Sequence, residues 1–262
     1  MDHVLHYREP RQKLKALETI PKDMRTAYDD VLQRIERCRS GDKELAMKIF
    51  SWVLWARRPL LMEELIEALV VEECDRDLER DCMLQPSQVI ECCKSLVVYE
   101  AETRTVRFTH YTVQEFLVVN VLKSLERPVT IAKSCLTYLA FNVFSHRCLG
   151  GNAVIGRTEL YRFAPYAALF WNDHVRGDLE EDESIQRRIY QVFGDERRRN
   201  AILQLQRYAR SNATSGDFYV WKDQTFLHVM AEAGLSKICR CFISGTLNII
   251  QLYVISTFIR GA

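Results

Sequence analysis

The chain has 262 residues, 48% of them hydrophobic, and 36 basic against 35 acidic residues give a formal net charge of +1. That length suffices for one large domain or two small ones with real cores. The near-neutral balance excludes any global attraction to nucleic acid or to an anionic membrane.

Ten Gly and six Pro leave few turns, and apolar residues recur mostly at helical spacing, so the reading is mainly α. Pro21 and Asp23 favour a helix start, and Met24, Tyr28, Val31, Leu32 and Ile35 carry its stripe to about Cys38. Ser40-Gly41 breaks it, with Asp42 read as the N-cap of a second helix. That helix buries Ala46, Ile49, Phe50, Val53 and Leu54, flanks them with Trp52 and Trp55 as core rather than a stacking platform, and stops at Arg58-Pro59. A third helix spans Glu63 to Val71, with Leu65, Ile66 and Leu69 inward. EECDRDLERD (72–81) reads as a solvated acidic loop. Pro86 opens a fourth helix through Val89, Ile90, Cys93 and Leu96. The period then changes: LVVYEAETRTVRFTH holds two β-branched runs, a hairpin without an Asn-Gly turn. Helix, helix, helix, hairpin is the order of a winged helix.

Helix resumes from Tyr111 to Leu125 and again after Arg127-Pro128. Ala132, Cys135, Leu136 and Leu139 form one stripe, and Tyr166, Leu169 and Phe170 another. DLEEDE (178–183) and DERRR (195–199) read as polar joints with solvated faces, and His174 as a surface or half-buried helix residue. TFLHVMAEAGL (225–235) matches the Thr-Pro-Leu-His-x-Ala start of an ankyrin repeat, with Phe226 for Pro and Met230 for Ala. Thr225, Leu227, His228 and Ala231 occupy motif positions, and Gly234 stands where a turn needs positive φ. Ile238, Cys239 and Phe242 supply a second helix. The divisions expected are a helical linker (1–40), a winged helix (41–127), a helical bundle (128–215), a partial ankyrin repeat (216–245) and an atypical tail (246–262).

The nine cysteines are odd in number and irregular in spacing. Cys92-Cys93 fits neither a disulfide nor a zinc knuckle, and Cys239-x-Cys241 is tighter than zinc-ligand spacing. The opening MDHVLHYREPRQ lacks the apolar core of a signal peptide. Free thiols in a cytoplasmic chain are the expectation. The run Leu247 to Ile259, interrupted by Asn248 and Gln251, is too short to span a bilayer.

RFTHYTVQEFL (107–117) places His110 and Glu115 where a strand meets a helix, which invites a catalytic reading. That reading needs a nucleophile and an orienting acid. No G-x-S-x-G elbow and no His-Glu-x-x-His string exists in the sequence, so no catalytic residue, metal ligand or cofactor is assigned. For DNA binding, the recognition helix would be PSQVIECCKSL (86–96), which offers Gln88, Glu91 and Lys94 but no arginine. Residues 61–95 carry ten acidic and three basic side chains, a local charge of −7 that repels a polyanion.

KALETIPKDMRTAYDDVLQRI, WVLWARRPLLMEELIEALVVE, VRFTHYTVQEFL, IAKSCLTYL and APYAALFWNDH, in that order, resemble the segment that follows the NTPase core in fungal NACHT–ankyrin signalling proteins. The same module is catalogued as a GPI inositol-deacylase winged helix. The resemblance covers residues 12 to about 175. It implies a winged helix that folds back on a nucleotide core, with His110 at the place where related ATPases touch a nucleotide phosphate. The competing reading of His110 is structural, closing the hairpin against the helix over Phe108, Phe116 and Leu117. The sequence departs from the family in lacking the G-x-x-x-x-G-K-[ST] phosphate loop. It also departs in placing Leu61 where a Ser or Thr caps the third helix. The function implied is a non-catalytic regulatory fragment with protein partners. The alternatives are a DNA-binding winged helix and a truncated gene product without its own activity.

Overall fold

The computed structural model describes residues 24–120, 128–211 and 224–245. Among them are twelve α-helices and one three-stranded sheet. The readings for the segment before Met24, for residues 121–127, and for the tail 246–262 lie outside the described residues.

The first unit comprises α1 (Met24–Glu36), α2 (Ser40–Trp55), β1 (Leu60–Leu61), α3 (Met62–Val70), α4 (Pro86–Cys92), β2 (Val97–Glu100), β3 (Thr105–Phe108) and α5 (Tyr111–Asn120). The hairpin β2–β3 pairs antiparallel with Val97 opposite Phe108 and Glu100 opposite Thr105. Arg104, at φ +57, supplies the turn's left-handed residue in place of Asn or Gly. A third strand escapes the sequence reading: β1 joins β3, with Leu60 opposite Val106, in the order β1-β3-β2. Two residues are too few for an alternating pattern to show.

Three helix details correct the sequence reading. Arg39, not Asp42, occupies the N-cap of α2; Asp42 lies in the first turn, where the helix dipole still favours its charge. On α2, Trp52 is fully buried while Val53 and Leu54 are half-buried, because the helix packs on two sides. And α4 stops at Cys92 rather than Leu96 because Lys94 and Ser95 both take positive φ, turning the chain into β2.

The second unit is a bundle of α6 (Pro128–Leu139), α7 (Gly151–Leu160), α8 (Ala164–Val175), α9 (Glu183–Phe193) and α10 (Glu196–Ser211). Helix α8 packs on α6 and α10, and α6 also meets α9. The stripe Ala132, Cys135, Leu136 and Leu139 is fully buried. On α8 the buried set is Ala164, Tyr166, Ala167, Ala168, Trp171, His174 and Val175, with Leu169 and Phe170 only half-buried. The charged joints are solvated only in part: Asp178, Glu181, Glu183, Asp195, Glu196 and Arg197 are exposed, while Glu180 and Arg199 are buried. Arg198 donates to the carbonyls of Leu139, Ala140 and Phe141, capping the C-terminus of α6. Arg199, buried, does the same for Phe193 and Gly194 at the end of α9. A helix end leaves orphan carbonyls, and an arginine fork satisfies several at once. The last pair, α11 (Phe226–Glu232) and α12 (Ser236–Ile243), packs on α9 through Phe226 against Tyr190.

Candidate functional site

His110 sits immediately before α5, and its ring is exposed. The Thr112 backbone N–H reaches His110 Nδ1 at 3.3 Å, and Thr112 Oγ1 lies 2.8 Å from the same nitrogen. Tyr28 of α1 closes the chain, its hydroxyl 2.7 Å from Thr112 Oγ1. With Nδ1 accepting, the neutral ring carries its proton on Nε2. Beneath it Phe108, Phe116 and Leu117 are buried in the core. The ring thus lies outside this core, while Thr109, one residue earlier, donates its N–H to the Leu96 carbonyl at the end of the hairpin. Glu115 is exposed on the next turn. Among the described residues no group of three or more His, Cys, Asp or Glu could hold a metal.

Leu61 does stand at the N-cap of α3. Without a side-chain acceptor, only half of a capping box forms: Glu64 Oε2 accepts the Leu61 N–H at 2.9 Å. Arg58 holds that carboxylate through two contacts of 2.7 and 2.6 Å and lies over the Tyr166 ring of the bundle.

The ankyrin-like residues gather at the start of α11. Thr225 is its N-cap, accepting the His228 N–H, while His228 Nδ1 accepts the Thr225 N–H at 3.3 Å. Gly234, at φ +73, makes the turn into α12. Leu227 is half-buried and Ala231 exposed, with the inward positions filled by Phe226, Val229 and Met230. Ala231, Leu235, Cys239 and Ile243 line an open groove of about 610 Å³ on this outer face.

The residues that sequence reasoning missed lie at the seams between units. The loop 72–81 is tethered rather than simply solvated: Glu73 pairs with Arg188, Asp77 accepts from the Tyr161 hydroxyl, and Arg80 donates to the Leu160 carbonyl. Arg188 beside Glu73 holds that carboxyl below its usual range. Trp52 of α2 meets Phe163 edge-on at 5.4 Å, and Phe163 stacks on Tyr166. His174 is buried, not superficial; its Nε2 lies 2.9 Å from the Tyr166 hydroxyl, and burial with nearby Arg57 lowers its pKa to about 4. Glu67 of α3, 3% exposed, accepts the Tyr138 hydroxyl at 2.5 Å and the Phe163 N–H at 2.9 Å. Burial raises its carboxyl pKa against those hydrogen bonds. The sequence signal was weak but present: Glu67 interrupts the apolar run of a nine-residue helix.

Residues 33–140 match the family model described as GPI inositol-deacylase, winged helix domain. This segment is a winged helix. The match begins inside α1 and runs through α6, so the winged-helix family segment includes a helix whose packing partners are α8 and α9. No curated protein and no solved structure matches the chain. No helix of the described residues is long and apolar enough to cross a membrane.

Proposed function

We propose that this chain is a non-catalytic regulatory and protein-interaction segment. In this reading its winged helix packs on and controls a nucleotide-binding core of the NACHT type, and α11–α12 begin an ankyrin-type binding surface. The observation that carries it is α4, the helix a DNA-reading winged helix would insert into the major groove. Its exposed side chains are Pro86, Ser87, Gln88 and Glu91, and Gln88 is engaged by the Gln85 N–H at 2.7 Å. The helix itself carries one acid and no base, and Lys94 just beyond it is half-buried, a face that disfavours a polyanion and suits a protein partner. His110 supports the same reading, since an exposed ring beside a helix N-terminus, with its proton on Nε2, can donate to a phosphate of such a core.

The test is to mix the chain with a NACHT-type nucleotide-binding module and follow nucleotide turnover and ADP release. The chain alone turns over no nucleotide, slows ADP release from the module, and loses that effect as H110A. Salt-sensitive binding of random duplex DNA at low ionic strength, with no effect on the module, would replace this reading by the DNA-binding one.

A further inference from the structure

Hydrophobic contact is non-directional, so an aromatic seam by itself allows sliding, and relative motion between units is the default. Both seams of this protein contain something directional. At the first, Glu67 leaves the winged helix and places its carboxylate at the entrance to α8, where the Phe163 N–H and the Tyr138 hydroxyl converge on one oxygen. At the second, Glu180, on the short 3-10 turn Asp178–Glu181 after α8, reaches the start of α12. Its Oε2 accepts the N–H of Lys237 at 2.8 Å and of Ile238 at 3.4 Å, while Oε1 takes the Gly177 N–H. Both glutamates are 3% exposed. Each therefore caps a helix of the next unit, and neither α8 nor α12 receives a cap hydrogen bond from its own N-cap side chain.

A buried carboxylate is tolerable only while its donors are in place, and here the cross-seam donors belong to the neighbouring unit. Only one relative placement satisfies it, which turns a slippery seam into a fixed one. We propose that Glu67 and Glu180 are positioning residues that couple the winged helix, the bundle and the α11–α12 pair into a single transmitting body. A load on the α11–α12 face then reaches the winged helix without a hinge between. This goes beyond the functional reading above and holds whatever the winged helix controls.

The test uses the full chain with a donor and an acceptor fluorophore attached by non-cysteine chemistry at two exposed positions, Glu102 near the hairpin turn and Ile243 on α12. Single-molecule transfer gives one narrow distance in the unsubstituted chain; a broad or bimodal distribution there would overturn the proposal. E67A and E180A, each with unchanged far-UV circular dichroism, broaden it, and E67Q, which keeps an acceptor oxygen, restores the narrow distribution. In hydrogen exchange, E180A speeds the first-turn amides of α12 roughly tenfold. If E67A does not fold, Y138F takes its place, removing one donor while leaving the Phe163 contact. Folded variants that keep both the narrow distribution and unchanged exchange would show that the glutamates merely fill space.

Discussion

The two seams solve one problem in different surroundings. The first is deep and aromatic: Trp52, Tyr138, Phe163 and Tyr166 are buried, Tyr138 and Phe163 bonding Glu67, with Arg80 acting on that carboxyl through space. The second is shallow. Lys237, in the capped turn, pairs with Glu181 at 2.9 Å and lies 3.8 Å from Asp178, both carboxylates exposed. Its aromatic contribution is Phe226 against Tyr190 and Phe242. The same side chain in the same capping role is thus surrounded by aromatic packing in one place and by a salt-screened rim of neighbouring ion pairs in the other. The first seam should govern global stability, and the second only the docking of α11–α12.

Removing Glu67 breaks that contrast most severely. E67A leaves a buried N–H and a buried phenol unsatisfied and should cost about 3 kcal/mol, read as a lower urea midpoint for the whole chain. A loss confined to the exchange of α8 would show instead that the seam is local.

Acid probes the same seam through His174. Its folded pKa of about 4 lies below the unfolded value near 6.5, so the folded state binds fewer protons. Its contribution is complete above pH 6.5 and is lost as pH falls toward 4, on the order of 3 kcal/mol at most. H174Q should flatten this part of the stability profile. Glu67 acts with the opposite sign. Its folded pKa is raised above the ordinary 4.5, so its contribution is complete below 4.5 and declines as pH rises through the folded value. Relative to E67Q, the parent chain should therefore gain stability as pH falls, measured by denaturation at a series of pH values.

E180A should cost about 1 kcal/mol, the scale of a lost helix cap, and appear in the exchange of α12 while leaving the winged helix untouched. The smallest effect expected is a gain. L61T supplies the missing acceptor at the N-cap of α3 and should raise the urea midpoint by about 0.5 kcal/mol in stability, after the lost apolar contact of a half-buried leucine. Equal stability of the two proteins would mean that Glu64 and Arg58 already satisfy that turn.

Local chemistry was legible. The Thr225–His228 cap, the positive φ of Gly234, the hairpin and the helix order follow from short-range rules of period, capping and backbone freedom. The same rules misjudged α4, since left-handed Lys94 and Ser95 carry no signal in residues that ordinarily continue a helix.

By itself, the sequence determined most of the helices of the first unit and where the wing forms, because each depends on residues within a few positions of one another, whereas the uncapped start at Leu61 was read from the family resemblance. Only the tertiary structure decided the fate of the charges. Glu67, Glu180, Arg198 and Arg199 look like solvated positions in a linear pattern, yet each meets backbone groups from another helix or turn. A charge is buried or hydrated according to whether donors or acceptors await it, and those partners lie as much as 96 residues away. His110 shows the remaining division: the junction was readable from the strand-to-helix change of period, but only the fold places its exposed ring beside a Thr112 that Tyr28, 84 residues before it, also meets.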